Sequence, residues 1–136
     1  MFKHIMVPVD LRLPEPVTKA LEQAIRMARS DGARLTLVSV YGGTPGDAPS
    51  GEAATKQVAT LARDIGEALD TEVDGIAVYS VDVAVEVDAL LAQTAEEIGA
   101  DLVVVGSHAP RFLDYIFTSH AGKLAHHAKA SVFVIR

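Results

Sequence analysis

The chain has 136 residues, a formal net charge of −6 and no cysteine. Its length fits a single domain, and a hydrophobic fraction of 49% is enough to bury a core. The negative charge argues against nucleic-acid and anionic-membrane surfaces, and the missing cysteine excludes disulfides, thiolate catalysis and Cys-ligated zinc. No apolar run approaches the roughly 18 residues of a membrane span, and the first residues lack a signal-peptide pattern, so we expect a cytoplasmic protein.

Hydrophobic patterning in the first half predicts strands that alternate with helices. Residues 4–10, HIMVPVD, form an apolar run ending at Asp10, which is typical of a strand buried on both faces. Pro8 is expected near the end of this strand, because proline has no N–H for the ladder. Helical spacing over residues 14–30 is followed by Gly32 as a stop signal. The pattern then predicts a strand over 34–40, an exposed loop and a second helix over 52–69.

The second half continues the alternation. A weaker third strand covers residues 72–80, and a third helix covers 85–98 with Gly99 as its stop. The most apolar strand, DLVVVGS, spans 101–107. After a loop, Ser119 opens a last helix that runs to about residue 127, and a closing strand begins at Ser131 and ends at Arg136. The alternation predicts an α/β fold, a doubly wound three-layer α/β/α sandwich with a five-stranded, mostly parallel sheet.

The two most apolar strands, the first and the fourth, are expected at the centre of this sheet. In doubly wound sheets, ligands bind beyond the carboxyl ends of the strands where the strand order reverses. If the first and fourth strands are neighbours, Asp10 and the loop after Gly106 face one crevice.

The stretch from Gly106 to Ser119 has two parts of a phosphate site. A glycine at a strand end lets a ligand approach the backbone closely, and the free N–H groups near Ser119, His120 and Ala121 favour an anion. An ordinary strand–loop–helix connection with a serine cap explains the same residues, so both interpretations stay open at this point. Asp10 is similarly either an acceptor for ribose hydroxyls or a turn residue.

Other chemical signatures are missing from the sequence. The Walker pattern, a G-x-G-x-x-G after the first strand and the hydrolase elbow G-x-S-x-G do not occur. His126 and His127 are adjacent on a predicted helix and therefore point in different directions, so no metal site is predicted. His108 and His120 reach either a phosphate or solvent. No nucleophile–base pair stands out, and no catalytic residue is predicted.

The segments FKHIMVPVD, DLVVVGSH and SVFVIR, with a Ser-opened helix between the last two, resemble the universal stress protein family of the single-domain bacterial type. The resemblance covers essentially the whole chain. It implies one domain over residues 1–136 and strand order 3-2-1-4-5, as in adenine nucleotide alpha hydrolase-like folds, with a crevice between strands one and four. Many members bind ATP or AMP in that crevice, with Mg²⁺ possible beside ATP, and others bind no nucleotide.

The resemblance also implies roles for individual residues. Asp10 serves the ribose or adenine side, and backbone or apolar contacts line the adenine and approach the ribose. The phosphates lie against the loop and the start of the last helix. The residues expected to bind the nucleotide are Pro8, Val9, Asp10, Val40, Val105, Gly106, Ser107, His108, Ala109, Thr118, Ser119, His120 and Ala121.

The phosphate motif of the binders, G-x2-G-x9-G-[ST], is only partly kept. Gly106 matches its first glycine, but Ala109 replaces the second and Thr118 stands in the place of the third, with eight residues between the two. A β-branched Thr118 is strained if that position needs positive φ, and the methyl of Ala109 obstructs close contact with phosphate. Pro110 stiffens the loop and offers no N–H. Adenosine recognition is therefore expected to be better preserved than triphosphate recognition.

The resemblance favours a stress-response sensor or regulator that binds an adenine nucleotide and hydrolyses it slowly at most. It implies a homodimer through the strand from Ser131 to Arg136, since an exposed apolar edge invites pairing. The alternative is a dimeric protein-interaction module of the same family that has lost nucleotide binding through Ala109 and Thr118. An ATP-using enzyme of a related fold is a weaker third hypothesis, because its S-G-G-x-D-S or H-I-G-H motif does not occur.

Overall fold

The computed structural model describes residues 1–11, 18–42, 51–106 and 130–136, without the side chains of residues 84, 85 and 88. The predicted last helix, from Ser119 to residue 127, lies outside the described residues. The elements are β1 (His4–Pro8), α1 (Lys19–Asp31), β2 (Arg34–Gly42), α2 (Gly51–Leu69), β3 (Val73–Ser80), α3 (Val83–Ile98), β4 (Leu102–Gly106) and β5 (Ser131–Ile135).

The five strands form one sheet in the order β3-β2-β1-β4-β5. All four neighbouring pairs are parallel, which confirms the predicted α/β fold and its strand order. The order reverses between β1 and β4. The carboxyl ends of these two central strands therefore form the edge at which doubly wound sheets bind ligands.

Both faces of the sheet are buried, and alternate residues of a strand supply the two faces. Ile5 and Val7 of β1 belong to a core cluster with Leu21 of α1 and Val58 of α2. Met6 belongs to a second cluster on the other face, which α3 covers. The members of that second cluster are Met6, Val38, Val87, Leu91, Ala92, Ala95, Val103 and Val105. The continuous apolar runs in the sequence follow from this double burial.

Helix α2 lies directly on β3 at Gly75. A Cβ atom there would lie 2.5 Å from the carbonyl oxygen of Val58 and 2.8 Å from its carbonyl carbon. Glycine permits this close approach of two backbones, so it fixes where the helix rests on the edge of the sheet.

Helix α1 begins at Lys19, later than the predicted residue 14. Thr18 has extended dihedral angles, φ −101° and ψ 170°, and its hydroxyl oxygen accepts a hydrogen bond from the N–H of Leu21 at 3.3 Å. Thr18 is therefore the N-cap, a role the apolar spacing alone did not reveal. The two predicted stop signals are confirmed, because Gly32 and Gly99 have left-handed φ values of 65° and 72°.

Two aspartates hold the amino end of β1 in place. Asp101 accepts hydrogen bonds from the N–H groups of Lys3 at 2.9 Å and His4 at 3.1 Å. Asp31 accepts one from the N–H of Phe2 at 2.9 Å and lies 3.3 Å from the terminal ammonium group. These bonds lock the start of the chain between α1 and β4.

The Asp31 contacts predict a pH-dependent contribution to stability. The hydrogen bond from Phe2, with help from the terminal ammonium, holds the pKa of Asp31 below its ordinary value of 3.8. A depressed folded-state pKa stabilises the fold above the unfolded-state pKa, and the gain is lost as pH falls through the lower folded value. We expect Asp31→Asn to lower the melting temperature at pH 7 and the deficit to shrink on acidification below pH 3.8.

Thermal unfolding followed by circular dichroism at neutral and acidic pH measures this effect. Asp64→Asn, at an exposed carboxylate of α2, controls for the general loss of one negative charge. A deficit of equal size at both pH values would show that Asp31 acts without its charge.

Candidate functional site

The hydrogen-bonded ladder between the two central strands ends before the strands do. It joins Ile5 to Leu102 and Met6 to Val103, whereas β1 continues to Pro8 and β4 to Gly106. On their other sides, β1 stays paired with β2 as far as Pro8, and β4 stays paired with β5 as far as Gly106. Within the described parts of these strands, the boundary between β1 and β4, called the seam below, is therefore the only one at which the ladder ends early.

Pro8 gives a physical reason for this interruption. Val9 donates its N–H to the carbonyl oxygen of Val38 on β2 at 2.8 Å. Because successive residues of a strand point their N–H groups in opposite directions, residue 8 faces β4. Proline has no N–H, so the ladder bond is missing on the side where the strand order reverses. Extending the register from Met6 and Val103 places Pro8 opposite Val105.

Six of the predicted site residues meet at this carboxyl edge. Val9 and Asp10 follow β1 directly, and both side chains are half-buried. Val40 lies two positions beyond Val38 on the neighbouring strand, and Gly106 ends β4. The residues brought to this edge are Pro8, Val9, Asp10, Val40, Val105 and Gly106. Their assigned contacts with a nucleotide stay a prediction.

The predicted phosphate side falls on residues that the structure does not describe. Seven of the expected residues lie outside the described ranges, namely Ser107, His108, Ala109, Thr118, Ser119, His120 and Ala121. The described geometry therefore concerns only the residues that are expected to contact the adenosine part of a nucleotide.

Gly106 has a packing role in addition to its position at the crevice. A Cβ atom at this residue would lie 3.2 Å from the Cβ atom of Ala20, in the first turn of α1. The small side chains let α1 approach the end of β4, which also brings the N-terminus of α1 close to the seam. A glycine at this position is thus explained by helix packing as well as by a ligand.

Glu86 closes the turn between β3 and α3. Its Oε1 atom accepts a hydrogen bond from the hydroxyl of Ser80 at 2.8 Å and another from the N–H of Asp82 at 3.1 Å. The Ser80 bond, followed by backbone bonds from Asp82 and Val81, lowers the pKa of Glu86 below its ordinary range. Sequence reasoning missed this contact, because Glu86 lies four residues after the N-cap Asp82, one more than the spacing of a capping box.

Gly42 brings the ends of β2 and β3 together beside Glu86. It is paired with Ser80 in the ladder and has a φ of 142°. A Cβ atom at Gly42 would overlap the carbonyl oxygen of Ser80. This glycine is therefore needed both for its backbone conformation and for its contact.

A cavity of about 410 Å³ opens at the amino ends of β2 and β3, between the C-terminal ends of α1 and α2. Arg34, one of the two arginines that line it, is already paired with Glu72 at 3.3 Å and Asp74 at 2.7 Å. In the described ranges no three His, Asp or Glu side chains converge as metal ligands, here or elsewhere. Among the helices that the structure describes, none is long and apolar enough to cross a membrane. The carboxyl edge therefore remains the candidate site.

Comparison with known proteins identifies the family. The sequence model of the universal stress protein family matches residues 1–136, the entire chain. The chain belongs to the universal stress protein family. The match confirms the resemblance seen in the sequence.

A curated member of the family, universal stress protein G of Shigella flexneri, is 29% identical over 153 aligned residues. The alignment covers 100% of both chains, so this universal stress protein matches its relative from end to end.

Solved structures of the family share the fold. A universal stress protein from Archaeoglobus fulgidus in complex with dAMP aligns with a TM-score of 0.68 and 19% identity, over 98% of each chain. A family member from Arabidopsis thaliana with AMP bound aligns with a TM-score of 0.65 and 14% identity, over 98% of this chain and 90% of the other. Both likenesses establish the fold, and the nucleotides are those of the two relatives.

Proposed function

We propose that this universal stress protein binds an adenine nucleotide, ATP or AMP, at the carboxyl ends of β1 and β4, and acts as a stress-response sensor or regulator. The observation that carries the proposal is that the β1–β4 ladder ends before Pro8, with Asp10 two residues farther along the chain. The adenine nucleotides bound to its structural relatives, dAMP and AMP, support the choice of ligand.

The residues at this edge fit the adenosine part of such a ligand. Pro8, Val9 and Val40 supply apolar surface for an adenine ring, and the carboxylate of Asp10 is an acceptor for ribose hydroxyls. Pro8 leaves the seam without a ladder bond at the point where the ligand would enter. ATP would bring Mg²⁺ on its own phosphate oxygens, because that ion is usually held by substrate phosphates and few protein ligands.

The role of Asp10 predicts a loss of affinity on substitution. We expect the wild-type protein to bind adenosine, AMP and ATP, and Asp10→Ala to weaken all three by about 10- to 100-fold, since hydrogen bonds to a charged group are worth about 1.5–3 kcal/mol. Isothermal titration calorimetry measures the affinities. Asp64→Ala, in α2 and away from the carboxyl edge, is the matched control and should bind as the wild type does.

Two results of this experiment would contradict the proposal. One is the absence of heat and of any thermal shift for the wild type with all three ligands at about millimolar concentration. The other is equal affinity of the wild type and Asp10→Ala, which would remove Asp10 from the site.

The second candidate function is a protein-interaction module without a nucleotide. It is favoured by Ala109 and Thr118, which stand where nucleotide-binding relatives carry glycine in their phosphate motif. It predicts that the wild type binds no nucleotide and that Asp10→Ala leaves partner binding intact. The titration above therefore discriminates the two functions. A cytoplasmic location remains a prediction under both.

We further infer that the protein is a homodimer in which β5 pairs antiparallel with β5 of a second copy. Among the described strands, β5 is paired on one side only, with β4. Its sequence, SVFVI, carries no charge, and Phe133 and Val134 are 44% and 38% exposed. Edge strands are usually blunted by charge or proline, so an apolar one favours pairing with another chain.

A further inference from the structure

At the carboxyl edge of the sheet, the residues expected to touch a nucleotide are supported by packing against α3. Val40 and Val78 are paired across β2 and β3, and both pack against the core cluster that α3 covers. Val83, the first residue of α3, packs against the same cluster. Val40, Val78 and the first turn of α3 therefore pack against one cluster, and the pair Val40 and Val78 is called the wall below.

In the described residues, one carboxylate oxygen ties that first turn to the end of β3. Oε1 of Glu86 accepts from the buried hydroxyl of Ser80, which is 2% exposed, and from the N–H of Asp82. Ser80 lies two residues after Val78, so both side chains point to the α3 face of the sheet. The N-cap residue Asp82 makes no side-chain cap bond of its own. The Glu86 carboxylate thus supplies the connection between the end of β3 and the start of α3.

We propose that Glu86 is a positioning residue for the adenine side of the crevice, because it holds the first turn of α3 against the wall formed by Val40 and Val78. This inference rests on the proposed nucleotide binding. Glu86 does not touch the ligand in this arrangement. It acts through Ser80, Asp82 and the packing of Val83.

The position of the wall predicts which part of the ligand is affected. Val40 is expected to line the adenine ring, so loosening the wall should weaken every ligand that carries the base by the same factor. Adding phosphates to the ligand should leave that factor unchanged. A general loss of folding would instead lower the melting temperature, and affinity would not depend on whether the side chain at residue 86 keeps an acceptor oxygen.

The test compares three variants of α3 with the wild type. We expect Glu86→Ala to weaken the binding of adenosine and AMP equally, by about tenfold, because without these two hydrogen bonds the site would adopt its binding-competent arrangement only about a tenth of the time. Glu86→Gln keeps an acceptor oxygen and should restore affinity to within about threefold. Glu97→Ala is the matched control, since Glu97 also accepts a side-chain bond, from Gln93 at 3.0 Å, but at the other end of the helix. It should bind as the wild type does.

Amide hydrogen exchange provides the second readout. Exchange over residues 81–86 should accelerate in Glu86→Ala but not in the other two variants. If Glu86→Ala does not fold, Ser80→Ala removes one of the two bonds and should show a smaller effect of the same kind. Wild-type affinity in Glu86→Ala, or a loss for AMP but not adenosine, would overturn the inference. Failure of the wild type itself to bind adenosine and AMP would instead overturn the proposed function, and with it the role of Glu86.

Discussion

Replacing Gly42 by alanine should lower the free energy of unfolding by about 3 kcal/mol or more. The residue has a φ of 142°, a conformation that side chains other than glycine rarely adopt. A Cβ atom would in addition overlap the carbonyl oxygen of Ser80, which is fixed by the ladder between β2 and β3. The strain and the overlap cannot be relieved by rotating a side chain, because both involve backbone. Urea denaturation followed by circular dichroism measures the loss.

Gly32→Ala is the matched control for this prediction. Gly32 also has a positive φ, 65°, but a Cβ atom there would meet no heavy atom within 4 Å. Its replacement should therefore cost only the left-handed conformation, about 1–2 kcal/mol. If the free energy of unfolding fell equally in both variants, the close contact between Gly42 and Ser80 would make no contribution to the loss.

Replacing Val134 by lysine should convert the proposed dimer into a monomer. The substitution places a charge on an apolar edge strand, and an unpaired charge at an interface costs about 3–5 kcal/mol, which corresponds to dimerisation weakened by more than about 100-fold. Sedimentation velocity at micromolar concentrations distinguishes the two states. The circular dichroism spectrum should be unchanged, since Val134 is 38% exposed within one chain.

Val81→Lys offers a control with the same chemical change. Val81 is 75% exposed and follows β3, at the opposite edge of the sheet from β5. This variant should remain dimeric. A monomeric wild type at the same concentrations would contradict pairing through β5, and a monomeric Val81→Lys would place the interface at the other edge.

The fold could be predicted because its main signals are local. Double burial makes β1 and β4 continuously apolar, and glycines in the left-handed region end α1 and α3. The start of α1 was predicted wrongly because apolar spacing continues beyond the cap, whereas the cap depends on the dihedral angles of Thr18.

The candidate site was predictable only in its location. The meeting of Asp10 and Gly106 follows from the strand order, but the orientation of Pro8 toward β4 depends on the direction of the Val9 N–H bond. The contacts of Glu86 with Ser80 and of Gly42 with Ser80 were missed. The contact of Gly42 with Ser80 arises from the register between β2 and β3, which no short sequence window contains. Glu86 and Ser80 are only six residues apart, but their contact depends on the geometry of the turn into α3.

The bonds of Asp101 have a consequence for the order of folding. This carboxylate binds the N–H of Lys3, a residue 98 positions earlier in the chain. During synthesis, β1 can therefore pair with β2 long before its second neighbour, β4, has emerged. We expect the first three strands, with α1 and α2, to come together first and to leave the Pro8 side of β1 open until β4 has emerged. Because Pro8 has no N–H donor, the unpaired side of β1 is a poorer template for pairing with wrong strands. The residue that ends the β1–β4 ladder early should therefore also reduce mispairing during synthesis.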